Sequence, residues 1–510
     1  MTSRLIAGFV TLVGGAQMSE KSLKSKALMG SAWTLGAFGA SRGLRLGSHL
    51  ILAWLLTPAI FGLMALVKVF MQGLEMFSDV GIGPSIIQNK RGNDPIFLNT
   101  AWTIQIIRGF SLWIITCLLT YPFAWWYAQN DPAAWQLTAL LPVAAFTTVI
   151  AGFNSTSLFT LNKKMKFGRI TIIFLGTQVV SLAVMIGWAL VHPTVWAMVA
   201  GGLAGALFKM IASHFLVPGG RVRLQWDQES SRELFTFGKW IFLSTAFTFL
   251  ALNLDKLVLG KLLTLSELGL YGIALVFAKA ALDVANRLGS SVMFPVYAEF
   301  QDQPDKLMSV ALRAREVVLW VGTAVCICFA VGAPLFFETL WDPRYHRAGV
   351  LAQWIAIYMW TRILLDTMGR IPLALGNSRA LFFSNMIQSA GIMAALAGYL
   401  LVGLPGFILG LAVGPVASHL FLTLHIPSRQ GEMLRQSARF TSMAGLTAFA
   451  LVGFTLWLRD MATTWIWLVA VLLCALLPLL VAARVAYHKV WPDGRRKNTI
   501  IVVPERSETR

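Results

Sequence analysis

Apolar residues fall along this chain in blocks of about 20, and a helix of that length crosses the ~30 Å hydrocarbon core of a bilayer. Short polar segments separate the blocks. They predict about fourteen spans, at 30–56, 61–87, 98–122, 134–161, 169–191, 195–217, 237–260, 268–297, 314–340, 349–375, 380–402, 405–426, 440–458 and 463–486. The expected fold is therefore an all-α polytopic membrane protein. No connection is long enough for a folded domain, the largest internal one running from Pro218 to Phe235.

Basic residues test that topology independently, because they gather in alternate connections. Lys21, Lys24 and Lys26, Lys90 and Arg91, Lys163 to Arg169, Arg221 to Lys239, Lys306, Arg313 and Arg315, Arg379, Arg429 to Arg439 and the tail from Lys489 all fall on one side. Opposite them stand only Lys261, Arg344, Arg347 and Arg459. Positive charge is retained on the cytoplasmic face, so both termini are expected there, in an inner membrane, with an even number of spans.

A stretch of the chain recurs. Leu55-Leu56-Thr57 followed by Gly62-Leu63 returns 207 residues later as Leu262-Leu263-Thr264 followed by Gly269-Leu270, and Trp33 matches Trp240 at the same offset. The copies stand an even number of spans apart, which makes the repeat parallel, with an axis along the membrane normal. The expected division is a cytoplasmic segment over 1–27, an N-lobe of six spans over 28–217, a linker over 218–236, a C-lobe of six over 237–426, two added spans within 427–488 and a basic tail over 489–510. Leu5 to Val13 has the look of a short signal-peptide core, but the segment from Met18 reads as a natural cytoplasmic start, leaving residues 1–17 as an extension.

The run from Trp54 to Gln88, WLLTPAIFGLMALVKVFMQGLEMFSDVGIGPSIIQ, resembles the amino-terminal signature of the polysaccharide transporter family. These are the Wzx-like flippases of the multidrug/oligosaccharidyl-lipid/polysaccharide exporter superfamily. The resemblance implies two six-helix lobes around a central cavity that opens alternately to each side, and two carboxy-terminal spans similar to those of the lipid II flippase branch. It implies as cargo a glycan linked to polyprenyl diphosphate, with membrane lipid and other polysaccharide assembly proteins as partners.

The formal net charge is +19, yet the excess lies in short inter-span segments rather than on a soluble basic face, which disfavours nucleic acid. Cys117, Cys326, Cys328 and Cys474 all lie in apolar blocks without metal-ligand spacing, and no GxxxxGK[ST] loop is present, so neither a metal, a cofactor nor direct ATP hydrolysis is expected.

Charges inside the spans carry the candidate chemistry. Arg42, Arg45, Lys68, Arg108, Lys209, Lys256, Lys279, Arg287, Arg362 and Arg370 are accompanied by Glu75, Asp79, Asp255, Asp283 and Asp366. At ~3 kcal/mol each, turning all of them to lipid would cost on the order of 40 kcal/mol, so most must face protein or water. Lys68, Gln72, Glu75 and Asp79 form one stripe along a helix, and Arg42 shares a face with Arg45. Acids at i±4 neutralise several of these bases, but Arg42, Arg45 and Arg108 have no acid within a turn on their own helix. The net positive interior suits an anion and repels organic cations. The expected substrate-binding set is Arg42, Arg45, Lys68, Arg108, Lys279, Arg287 and Arg362, with Glu75, Asp79 and Asp255 as candidates for coupling to an ion. A cation antiporter of the same superfamily should instead have an acidic cavity. A polysaccharide polymerase or ligase should carry a large external loop.

Overall fold

The computed structural model describes residues 39–78, 81–89, 91–163, 167–216, 223–288, 297, 303–375, 377–426, 428–461 and 473. Among these there is no strand. The helices in chain order are α1 (39–55), α2 (Pro58–Phe77), α3 (Ile82–Gln88), α4 (Pro95–Ala128), α5 (Leu137–Gly152), α6 (Ser157–Lys163), α7 (Phe167–Val191) and α8 (Trp196–Phe215). The second half supplies α9 (Gln228–Leu262), α10 (Leu265–Leu288), α11 (Pro304–Leu340), α12 (His346–Ala374), α13 (Ser378–Ala390), α14 (Ile392–Val402), α15 (Leu404–Leu424) and α16 (Gln430–Met461). Nine helices of the described residues are long and apolar enough to cross a membrane. All of the fourteenth expected span, 463–486, except Leu473, and the expected extension 1–17 lie outside the described residues.

Lipid is the solvent of the outer surface. Phe215, Leu400, Leu401 and Phe449 are exposed over 82–84% of their surface, a waste of apolar area in water but a gain against acyl chains. Inside each lobe helices pair as neighbours in sequence: α4 with α5 and α7 with α8 in the first, α11 with α12 and α14 with α15 in the second. Small residues allow the closest of these approaches. A Cβ on Gly109 would meet the Thr148 carbonyl at 2.6 Å, and one on Gly410 would meet that of Ala394 at 2.4 Å or Ala395 Cα likewise, so neither site admits a side chain.

Two helices of the first lobe are broken, and the neighbouring α4 stitches both breaks. Between α2 and α3 the chain turns through Gly81, whose φ of 64° favours glycine. Arg108 donates to the Glu75 carbonyl at 2.7 Å and to Ser78 Oγ at 3.0 Å, placing a cation at the carbonyl end of α2. Three residues earlier, Gln105 Nε2 donates to the carbonyls of Ala151 and Gly152 at 3.0 Å and of Asn154 at 3.1 Å, where α5 stops. In a membrane those carbonyls have no water to turn to.

The linker is docked rather than loose over its described part. Residues 223–227 run extended along the start of α4, where Asn99 Oδ1, Thr103 Oγ1 and Thr100 Oγ1 accept from the backbone of Arg223, Gln225 and Asp227. Arg91 sits among Asp94, Asp227, Glu229 and Glu233 at 3.1 to 3.9 Å, joining the α3–α4 turn to the first turns of α9. Asp227 caps α9 by accepting from the Ser230 hydroxyl and amide, bonds that hold its carboxyl below the usual range, with Arg91 adding to the effect. A carboxyl depressed in the folded state stabilises above its unfolded pKa of about 3.9 and ceases to do so as pH falls through the lowered value. Hydrogen exchange over 223–233 should therefore show protection from pH 7 down to about 4 that is lost below it, whereas Asp227→Ala should lack that protection already at pH 7.

Arg315 corrects the reading of the sequence. The charge pattern assigns it to a loop, but α11 begins at Pro304, and Arg315 is fully buried within it. Its guanidinium donates to Thr367 Oγ1 of α12 at 3.0 Å and, on α16, to the Met433 carbonyl at 3.2 Å, Gln436 Oε1 at 2.9 Å and Ser437 Oγ at 2.8 Å. Ser437 Oγ also lies 2.9 Å from His419 Nε2 of α15. Four neutral acceptors thus solvate one buried cation and fasten α16 to the second lobe.

Candidate functional site

The two copies of the repeat meet face to face. A Cβ on Gly62 of α2 would strike the Leu265 carbonyl, and a Cβ on Gly269 of α10 would strike the Pro58 carbonyl. Pro58 and Leu265, like Gly62 and Gly269, are 207 positions apart, so the contact is reciprocal and the pseudo-twofold axis passes between the glycines. The same turn is built by two devices. Pro58 opens α2, whereas Thr264 and Glu267 form a capping box at the start of α10.

This end of the molecule is sealed on both flanks. On one, Asn130 donates to the Leu263 carbonyl at 2.8 Å, Lys261 to that of Trp126 at 2.7 Å, and Asp131 accepts from the Leu265 amide at 3.0 Å. On the other, Tyr345 Oη donates to the Leu56 carbonyl at 2.7 Å and Trp54 Nε1 to that of Leu340 at 3.1 Å. The flanks are themselves related. Asp131-Pro132 and Asp342-Pro343 each cap a short 3-10 turn that docks on the opposite lobe, a second pair of repeat elements, 211 positions apart. An aromatic cluster of Phe277, Phe337, Trp341 and Tyr345 backs the second flank and reaches Phe61 across the seal.

Beyond the seal the lobes leave one face of α2 uncovered. Leu66, Val67, Val69, Met71 and Gly73 are buried, while Lys68, Gln72 and Glu75 are exposed, which is the stripe expected from their spacing. Lys68 is exposed midway along α2, on that uncovered face. Arg45 is exposed and Arg42 half-buried one turn away on α1. Arg45 and Lys68 each lie ten residues from the sealed end of their helices, hence level at ~15 Å of depth, and they act on each other electrostatically. Bringing two like charges together in a membrane is costly unless protein partners, an anion or water relieve them.

The remaining candidates fall into two other groups. Glu75 faces Arg108 of α4 and Lys209 of α8 within electrostatic range, and Asp79 lies outside the described residues. In the second lobe Asp255 is buried and accepts from Tyr271 Oη at 2.7 Å. Tyr358, Arg362 and Asp366 of α12 join it, Arg362 bonding Tyr358. Lys279 is half-buried on α10, and Arg287 lies on the same helix with its side chain outside those described. Arg45 and Lys68 are thus brought together, whereas Arg362 belongs to a separate, acid-containing network and Arg108 is engaged at the α2 break. The two copies of the repeat differ in charge at these positions. Leu252 and Leu275 occupy the positions 207 residues beyond Arg45 and Lys68.

A helical membrane protein of two lobes, sealed at one end above a pair of bases in the first, has the build of a carrier. The chain belongs to the family described as polysaccharide biosynthesis protein, whose model matches residues 51–348. It is 22% identical over 395 residues to the lipopolysaccharide biosynthesis protein WzxC of Escherichia coli (strain K12), covering 75% of this chain and 79% of that one. It is 18% identical over 362 residues to the teichuronic acid biosynthesis protein TuaB of Bacillus subtilis (strain 168), covering 66% and 71%. Among solved structures it resembles the lipid II flippase MurJ in its inward closed conformation, with a TM-score of 0.68 and 14% identity over 90% of this chain and 99% of that one. An inward-facing multidrug resistance MATE transporter matches with a TM-score of 0.61 and 13% identity, covering 77% and 95%. The fold is accordingly that of the multidrug and lipid-flippase transporters.

Proposed function

We propose that this protein carries a polyprenyl-diphosphate-linked oligosaccharide from the cytoplasmic to the periplasmic leaflet of a bacterial inner membrane, by alternating access, for the assembly of cell-surface polysaccharide. The observation that carries this reading is the Arg45–Lys68 pair, two exposed bases held level beneath the seal and within electrostatic range of each other. The relatives named for lipopolysaccharide and teichuronic acid biosynthesis and for lipid II support the substrate class.

In this reading the lobes divide at the linker of 218–236, and the basic loops face the cytoplasm. The Gly62–Gly269 seal is then periplasmic and the conformation is open inward. Arg42, Arg45 and Lys68 receive the diphosphate, guanidinium groups matching its oxygens in pairs. Arg108 holds the α2 break from which that wall hangs, and Lys279, Arg287 and Arg362 face the sugars or complete the grip as the lobes rock. Glu75, Asp79 and Asp255 are the groups through which an ion gradient would act. The protein does no bond chemistry on its cargo.

Reconstituted vesicles decide between this and an antiporter. Flipping of a fluorescent lipid-diphosphate glycan, without transport of cationic dyes, is expected; dye transport alone would overturn the reading.

A further inference from the structure

His49 stands between the basic recess and the seal, and neither the family match nor the stripe of charged residues accounts for it. It lies one turn above Arg45 on α1, and among the described residues Lys68 and Arg45 act on it electrostatically. Its Nδ1 is buried and has no hydrogen-bond partner among the described residues. Its ring packs on Phe61 with centroids 6.0 Å apart, Phe61 meets Tyr345 edge-on at 5.9 Å, and Tyr345 Oη holds the Leu56 carbonyl at 2.7 Å. Phe61 also precedes Gly62, the residue on the pseudo-twofold axis. Three rings therefore connect the recess to the latch that closes the opposite end.

We propose that His49 is a positioning residue that reports occupancy of the Arg45–Lys68 recess to the seal: an anionic head group draws the imidazole off Phe61, and the Phe61–Tyr345–Leu56 latch loosens. An unpartnered buried nitrogen is rare because it forfeits a hydrogen bond, and an anion entering beside two cations supplies the acceptor that the surrounding protein does not. A hydrogen bond to a charged acceptor is roughly twice as strong as a tilted ring contact, so the ring follows the anion. Loading would then favour opening of the sealed end, and by reciprocity a weakened seal must tighten loading. The inference rests on the anion-site reading, which the same experiment tests separately.

The experiment is a double-mutant cycle on the full chain in lipid nanodiscs, with farnesyl diphosphate as the probe. Tyr345→Phe removes the latch oxygen, and His49→Phe keeps a ring on Phe61 while removing both nitrogens. Tyr345→Phe is expected to tighten probe binding about fivefold in the wild-type background and to leave it unchanged in the His49→Phe background. Equal tightening in both backgrounds, or none in the wild type, would overturn the role of His49 while leaving the anion site standing. Absence of probe binding to the wild-type protein would instead remove the anion site, and the relay with it. Elution as a single species in detergent checks that both variants are folded.

Discussion

Gly269→Ala should lower the rate of flipping by at least about tenfold while leaving the protein folded and inserted. A Cβ there overlaps the Pro58 carbonyl, which belongs to the backbone of a helix start and cannot swing aside as a side chain would. The sealed end must part, and a penalty of about 3 kcal/mol would shift the balance between sealed and open forms more than a hundredfold. Helix propensity works in the opposite direction, since alanine stabilises a helix interior by about 1 kcal/mol over glycine, so weakened helix formation cannot explain a loss. Gly272→Ala, three residues on in α10 with nothing within 4 Å of its would-be Cβ, is the matched control and should transport normally. Gly62→Ala should resemble Gly269→Ala, and the double variant should add little, because both residues serve one contact. Cysteine accessibility across the sealed end reads the conformational shift directly, and normal flipping by Gly269→Ala would show that the seal is not part of the cycle.

The second large effect is expected at the recess. Arg45→Ala or Lys68→Ala removes one charge-assisted partner of the diphosphate, worth about 1.5–3 kcal/mol, and should raise the concentration of lipid-linked glycan needed for half-maximal flipping by one to two orders of magnitude. Arg45→Lys should recover only part of the loss, since an ammonium cannot match two oxygens at once. Leu275→Ala, at the repeat position corresponding to Lys68 but in the other lobe, touches no anion in this reading and serves as a comparison for lost packing. Wild-type kinetics in Arg45→Ala and Lys68→Ala, at matched expression, would place the head group elsewhere.

Much of this architecture was open to reading because lipid forbids unsatisfied backbone, so apolar length alone defines most helices. The glycine repeat was visible too, and the structure supplies its reason: two backbones touch there. What stayed hidden involved partners distant in the chain. Arg108 looked unopposed because no acid shares its turn, yet its acceptors are a carbonyl and a hydroxyl 33 and 30 residues earlier, at a helix break that hydropathy does not register. Arg315 passed for a loop residue because its neutral acceptors lie 52 to 122 positions downstream. The Asp-Pro pair of 131–132 and 342–343 was legible in principle, but its spacing of 211 breaks the strict register of 207. His49 gave no signal, since a single histidine in an apolar block is ordinarily packing.

The Arg315 bond set bears on which parts of the chain can be dispensed with. Three of its four acceptors come from α16, so a version ending before residue 430 would strand an ionised group in apolar surroundings with one hydroxyl for company. Helix α16 is thus a requirement of the second lobe's interior, and shortening this protein ahead of it would demand repair of α11 in the same step.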